Sequence, residues 1–320
     1  MTNTSSTIAF LFPGQGSQAV GMGKELASNY PVARRTFEEA DEALGYKLSE
    51  VCFEGPEEKL KLTEITQPAI LTASIAAWRV LQEKGLKADF VAGHSLGEYS
   101  AHVAAGTLAF ADAVRTVRNR GKYMQEAVPV GVGAMAAILG MPIDEVSEIA
   151  KEAAQGEVCQ VGNINSPEQI VISGHAGAVN RGVALATARG AKKAVILPVS
   201  APFHCALMQP AQDRLSGDLR ALSFQNPSSL SPVVCNVDAA VVDSAEVSRD
   251  TLIRQVTGTV KWEPSVRLLI DKGASLFIEV GPGKVLWGLM RQIDRSKTCL
   301  TVGDEASLQK TLAQVAALAA

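Results

Sequence analysis

Phe90-Val91-Ala92-Gly93-His94-Ser95-Leu96-Gly97-Glu98 is the stretch on which the reading of this chain turns. A short apolar run ends in Gly-x-Ser-x-Gly and passes directly into a helical segment, Glu98 to Gly106. Strand, tight turn and helix, in that order, make a nucleophile elbow. The paired glycines let strand and helix close around a strained turn. The Ser95 hydroxyl then projects near the positive end of the helix dipole.

Around the elbow the pattern alternates. Upstream, Ile8-Ala9-Phe10-Leu11-Phe12 reads as a buried strand stopped by Pro13-Gly14. Helical periodicity covers Val32 to Leu44 and Pro68 to Glu83, with Pro68 suited to a first turn and Gly85 to a stop. Strands alternating with helices predict a mostly parallel sheet covered on both faces. The middle of the chain differs. Strands at Gly133–Leu139, Val158–Asn163, Ile170–Ser173 and Ala194–Val199 enclose helices at Pro142–Ala154 and Ala176–Arg189. That β-α-β-β-α-β order is ferredoxin-like. It divides the chain into a large subdomain (1–128 and 201–320) and an inserted small one (129–200), hinged near Val128-Pro129 and Ser200-Pro202. The large-subdomain pattern resumes with a helix after His204 and strands near Val233–Asn236 and Leu276–Val280.

The bulk numbers narrow the function classes. The chain has 320 residues, 47% of them hydrophobic, enough for one large domain or two unequal ones. A net charge of −3 carries no nucleic-acid or membrane-surface footprint. No apolar run reaches the roughly 18–20 residues of a membrane span, and the polar Met1–Thr7 is neither a signal nor a transit peptide. Cys52, Cys159, Cys205, Cys235 and Cys299 are dispersed, odd in number and free of C-x-x-C, which fits reduced thiols in the cytoplasm and no zinc site. The four histidines form no metal-binding pair.

A serine nucleophile needs a base. His94 adjoins Ser95 and points the other way on such a turn; His102 lies in the following helix; His175 opens another helix. His204 stands where the chain re-enters the large subdomain, on the rim of an interdomain cleft, and is the favoured base. Cys205, directly after it, points away. A hydrolase triad needs an acid between serine and histidine. Asp112 and Asp144 are the only aspartates there, both at helix starts where N-caps occur. A backbone carbonyl is therefore the expected orienting acceptor, giving a dyad. With an unperturbed imidazole, the rate should fall below about pH 6.5.

Two further features bear on the chemistry. Pro13-Gly14-Gln15-Gly16-Ser17-Gln18-Ala19 matches the dinucleotide fingerprint in form, but Glu38, Glu39 and Asp41 lie in a helix rather than at the end of a second strand. The favoured reading places this loop beside the elbow, where its N–H groups and that of Leu96 face an oxyanion. On the helix from Asp112 to Ala127, Arg118 and Arg120 both flank the apolar stripe and Arg115 faces away. One of the two is placed to bind a substrate carboxylate, and periodicity does not choose between them.

Taken together, the motifs resemble one family, the malonyl-CoA:acyl carrier protein transacylases. The resemblance runs through Phe12-Pro-Gly-Gln-Gly-Ser-Gln18, Thr66-Gln-Pro-Ala69, Gly93-His-Ser-Leu-Gly-Glu98, Arg120-Gly-Lys-Tyr-Met124 and Gly133-Ala-Met135. It continues through Asn163-Ile-Asn-Ser-Pro167, Pro202-Phe-His204, Gln255-Val256, Trp262 and Glu279-Val-Gly-Pro-Gly-Lys284. It implies an α/β-hydrolase-like large subdomain with a ferredoxin-like insert. It also implies Ser95 as nucleophile, His204 as base and acid, and the Gln255 carbonyl as the acceptor that orients the histidine. Gln15 and Leu96 would donate to the oxyanion, Arg120 would clamp the malonyl carboxylate, and Phe203 resembles the version that disfavours an α-methyl group. The partners implied are malonyl-CoA and acyl carrier protein, for a cytoplasmic monomer without metal or redox cofactor, CoA entering as the substrate thioester. Lys192, Lys193, Lys284 and Arg291 are candidate contacts for an acidic partner, weighed against an ordinary solvated role. Where members often carry Pro before the Val of Pro-Val-x-Trp, this chain has Gly258-Thr259-Val260-Lys261-Trp262, which predicts a looser loop after Gln255.

Overall fold

The computed structural model describes residues 6–199 and 201–319, so the Met1–Ser5 part of the polar N-terminus and the expected hinge residue Ser200 lie outside the described residues. Among the described residues, ten strands form two sheets: β1 (Thr7–Phe12), β2 (Phe90–Gly93), β3 (Gly133–Leu139), β4 (Cys159–Ser166), β5 (Gln169–His175), β6 (Lys193–Ile196), β7 (Val233–Val234), β8 (Val241–Val242), β9 (Ala274–Val280) and β10 (Thr298–Val302). The larger sheet has the order β10-β9-β1-β2-β7-β8 and is parallel except for β8 at its edge.

Its central strands are apolar on both faces because both faces are covered. Along β1, Phe10 and Phe12 enter one core and Ala9 and Leu11 the other. On β2, Val91 and Ala92 divide in the same way. The first core is filled from the Pro31–Leu44, Thr63–Glu83 and Phe110–Glu126 helices, the second by Trp262, Val266, Leu286 and Met290.

The second sheet, β4-β5-β3-β6, is antiparallel and lies within residues 133–196, with helices Ile143–Ala154 and Ala176–Ala188 between its strands. Ala136, Ile138, Ile170 and Ile172 face those helices. Met135, Ala137 and Val171, on the opposite face, pack into the first core of the larger sheet. The small sheet therefore roofs the end of β2 where the elbow sits.

Two local expectations are corrected. The helix expected to begin at Pro68 begins at Thr63, and Pro68 lies inside it. Pro68 has no N–H to donate to the Glu64 carbonyl, and Thr66 in the same stretch donates its hydroxyl to the carbonyls of Leu60 and Leu62. Asp112 and Asp144 are not N-caps; Ala109 and Pro142 hold those positions and both aspartates lie in the first turn, where a carboxylate still complements the helix dipole.

Candidate active site

Phe12 on β1 pairs in register with Gly93 on β2, and the next amide, His94 N–H, donates to the Phe12 carbonyl at 3.0 Å. The elbow then turns within a space only glycine allows. A Cβ on Gly93 would overlap the Gly97 carbonyl, and one on Gly97 would overlap that of Phe12. Ser95 is held at φ 52°, in the left-handed region. Asn236, just past β7, holds it there: its Oδ1 accepts from Ser95 N–H at 2.7 Å and its Nδ2 donates to the Gly93 carbonyl at 2.7 Å.

Ser95 Oγ lies 2.8 Å from His204 Nε2, and His204 Nδ1 lies 2.9 Å from the Gln255 carbonyl. A carbonyl only accepts, so Nδ1 carries the proton and Nε2 is the acceptor for the serine hydroxyl. Burial, reinforced by the charge of Arg120, pushes the His204 imidazole down to about 3. The pH expectation built on an unperturbed imidazole is thereby corrected: this base is neutral well below pH 6.5. The loop after Gln255 is likewise not loose. Thr259 Oγ1 donates to the Val161 carbonyl at 2.7 Å, and Val260 exchanges backbone bonds with β4, to Gly162 and from Ile164.

Arg120, not Arg118, enters the site. It is 1% exposed, and donates to Gln67 Oε1 at 2.8 Å, Gln255 Oε1 at 3.0 Å and Ser95 Oγ at 3.1 Å. Arg118 instead covers the Tyr46 ring at 5.8 Å, and Arg115 pairs with Asp112. The Phe110–Glu126 helix can approach this closely because Gly121 lies against the backbone of Thr63.

A cleft of about 170 Å³ opens over the serine. Ser95, His204, Arg120, Gln15 and Leu96 all line it, roofed by Met135, Val171, Leu197 and Val199. Phe203, directly before His204, also lines it, as does Met124. Ser95 N–H is already used by Asn236, while Gln15 and Leu96 line the cleft. His94 points away from His204, onto Asn165 at 2.8 Å and the Trp262 ring. His175 caps a helix and accepts from Val158 N–H, His102 is fully buried, and Cys205 Sγ turns to the Pro202 carbonyl. The glycine loop after β1 runs on to Gly23 before a helix begins at Lys24, which is not the strand-to-helix turn of a dinucleotide site. Of the candidate surface cations, Lys192 pairs with Glu168, Arg291 covers Trp287, Lys193 is exposed on β6, and Lys284 lines a groove shared with Gln15 and His94.

Four residues of the site carried no assigned role in the sequence: Gln67, Asn165, Asn236 and Glu98. The first, second and last lie inside quoted motifs, which was the available signal; Asn236 had none beyond its place at a strand end. Among the described residues, no group of three or more His, Cys, Asp or Glu side chains is placed to hold a metal ion.

The acyl transferase domain model matches residues 9–315. The malonyl CoA-acyl carrier protein transacylase of Salmonella typhimurium is 50% identical over 307 residues, 96% of this chain and 99% of the relative. That of Bacillus subtilis is 49% identical over 95% of this chain and 96% of the relative. Among solved structures, the Coxiella burnetii malonyl CoA-acyl carrier protein transacylase superposes with a TM-score of 0.94 at 44% identity, covering 97% of this chain and 98% of that one. A malonyl-transacylase solved in complex with a type II polyketide acyl-carrier protein superposes with a TM-score of 0.93 at 47% identity, covering 97% of this chain and 100% of that one.

Proposed function

The chain belongs to the malonyl-CoA:acyl carrier protein transacylase family, and from that premise we propose that Ser95 and His204 carry malonyl from CoA to the carrier thiol through a malonyl-serine ester. The observation that carries the reading is a neutral histidine 2.8 Å from an elbow serine, with a buried arginine on the same hydroxyl. Ser95 Oγ attacks the thioester carbonyl of malonyl-CoA while its proton passes to His204 Nε2. The oxyanion forms against the N–H groups of Leu96 and Gln15. The C–S bond breaks, and the CoA thiolate leaves with the proton from the imidazolium. In the second half the carrier's phosphopantetheine thiol gives its proton to Nε2 and attacks the ester; the Ser95 C–O bond breaks and Oγ recovers the proton.

Arg120 holds the malonyl carboxylate throughout. A bidentate, charge-assisted pair of this kind contributes about 1.5–3 kcal/mol. Every step is carried by groups of one chain, which supports a monomer, and CoA takes part only as the substrate thioester. Four buried, unpaired thiols support a cytoplasmic setting. No helix among the described residues is long and apolar enough to cross a membrane. The test is a comparison of acceptors: malonyl-CoA with carrier protein should give malonyl-carrier far faster than free malonate. Release of malonate at the same rate with and without carrier would favour a hydrolase.

A further inference from the structure

Arg120 is a buried cation whose hydrogen-bond acceptors, Gln67, Gln255 and Ser95, are all neutral. Among the described residues no carboxylate lies within ion-pair distance of it. Buried charges are costly without compensation. The compensation runs through the Gln255 side chain, whose Oε1 accepts from Arg120 while its Nε2 donates to Glu98 Oε2 at 2.8 Å and to the Ser95 carbonyl at 3.0 Å. Glu98 is fully buried, one turn past the nucleophile, and its Oε2 also accepts from Asn236 N–H at 2.9 Å.

The other carboxylate oxygen is different. Glu98 Oε1 has no hydrogen-bond partner, nor has either nitrogen of His102, and Oε1 and His102 Nε2 face each other at 3.9 Å in a fully buried space. One proton on Oε1, with an approach of about 1 Å, satisfies both orphan atoms. We propose that Glu98 is the resident counter-charge of Arg120, and that arrival of the malonyl carboxylate at Arg120 drives Glu98 to take up a proton, shared towards His102. This rests on the reading of Arg120 as the malonyl clamp.

The surroundings leave Glu98 as the group that responds. Burial holds its carboxyl up to about 7, partly offset by the Asn236 and Gln255 donors and by Arg120. On the same helix, His102 is driven down to about 3 by burial and stays neutral, and burial raises the Tyr99 phenol so that it stays neutral too. From the β7–β8 segment, burial pushes the Cys235 thiol up to about 11, and the Asp238 carboxylate is answered by Arg254 at 2.6 Å. Arg120 is the only cation facing Glu98 from the Phe110–Glu126 helix. Cancelling its charge raises the Glu98 pKa, and a group near half-titration then binds a proton. By reciprocity, malonyl binding tightens as pH falls through this window.

The experiment is calorimetric titration of Ser95→Ala protein with malonyl-pantetheine and with acetyl-pantetheine, neither of which carries a titrating phosphate. It is run at pH 7.5 in two buffers of different ionisation enthalpy. The malonyl thioester should take up a measurable fraction of a proton per site and the acetyl thioester none. Ser95→Ala/Glu98→Gln keeps the acceptor oxygen but not the charge; it should lose the uptake and bind malonyl-pantetheine roughly 3–10-fold tighter. Malonyl binding without proton uptake in Ser95→Ala overturns the inference, whether or not the double variant folds, as does uptake that persists in the double variant. Failure of malonyl-pantetheine to bind at all, while acetyl-pantetheine binds, would instead remove the malonyl reading and the inference with it.

Discussion

Ser95 and His204 meet at 2.8 Å with both backbones in the left-handed region, φ 52° for the serine and 60° for the histidine. Serine is uncommon in this conformation, so Ser95 stores strain that the packing around Gly93 and Gly97 and the bonds from Asn236 maintain, while the Gln255 carbonyl holds the histidine ring. Left-handed geometry costs a non-glycine residue about 1–2 kcal/mol, and glycine returns about 0.5–1 kcal/mol of that through unfolded-chain entropy. Ser95→Gly is therefore expected to be more stable than Ser95→Ala by about 0.5–1 kcal/mol, with both inactive. Urea midpoints of the two variants check this; a less stable glycine variant would mean the elbow is not strained.

The proposed carboxylate clamp at Arg120 predicts a separation of malonyl from acetyl. Arg120→Ala should lower kcat/KM for malonyl-CoA by about 10–150-fold, the equivalent of one charge-assisted contact, and leave acetyl transfer far less affected. Parallel losses for the two thioesters would take the clamp out of the account.

The buried base sets the pH response of acylation. Only neutral His204 accepts the Ser95 proton, and burial followed by the Arg120 charge holds its pKa down to about 3. At saturating malonyl-CoA, the single-turnover rate of serine acylation should stay level between about pH 8 and pH 5. A midpoint near 6.5 would show that the imidazole titrates as if solvated.

Stability should respond to acid more steeply than activity. His94, His102 and His204 are all depressed by burial, while burial raises the carboxyls of Glu98 and Glu279 to about 7. A depressed histidine takes its proton in the unfolded chain first, so its contribution is lost as pH falls below about 6.5. A raised carboxyl is protonated first in the folded chain, so its contribution grows as pH falls from about 7 towards 4.5. The two carboxyls offset His102 and His204 in number, and the lowered His94 tips the balance towards proton binding by the unfolded chain, so stability slopes downward as pH drops below about 6.5. His102→Leu should flatten that slope; an unchanged slope would place the titrating group elsewhere.

The fold was legible wherever local pattern and tertiary burial agree. The apolar run of β1 and the elbow at Ser95 read directly, because a sheet covered on both faces leaves no ambiguity of face. The β-α-β-β-α-β order of the small sheet read for the same reason. The start of the Thr63–Glu83 helix did not, since proline is expected at a first turn and here it lies inside the helix, five residues past its start. Within the site, Ser95 and His204 were legible from chemistry and order. Periodicity left Arg118 and Arg120 equivalent. Gly121 against the Thr63 backbone and Tyr46 under Arg118 decide between them, and both are tertiary contacts. Glu98 and Gln255 were legible as motif members only. The side chain of one and the double use of the other depend on contacts between distant parts of the chain, 2.8 Å between Gln255 and Glu98 across 157 residues and 2.9 Å between Gln255 and His204 across 51.

The account stands most directly on the malonyl-serine ester. Intact-mass measurement after brief mixing with malonyl-CoA should show one malonyl group on the wild-type protein, none on Ser95→Ala, and prompt loss of the adduct when carrier thiol is added. An adduct that forms equally on Ser95→Ala, or no adduct on the wild type while malonyl-carrier accumulates, would contradict it.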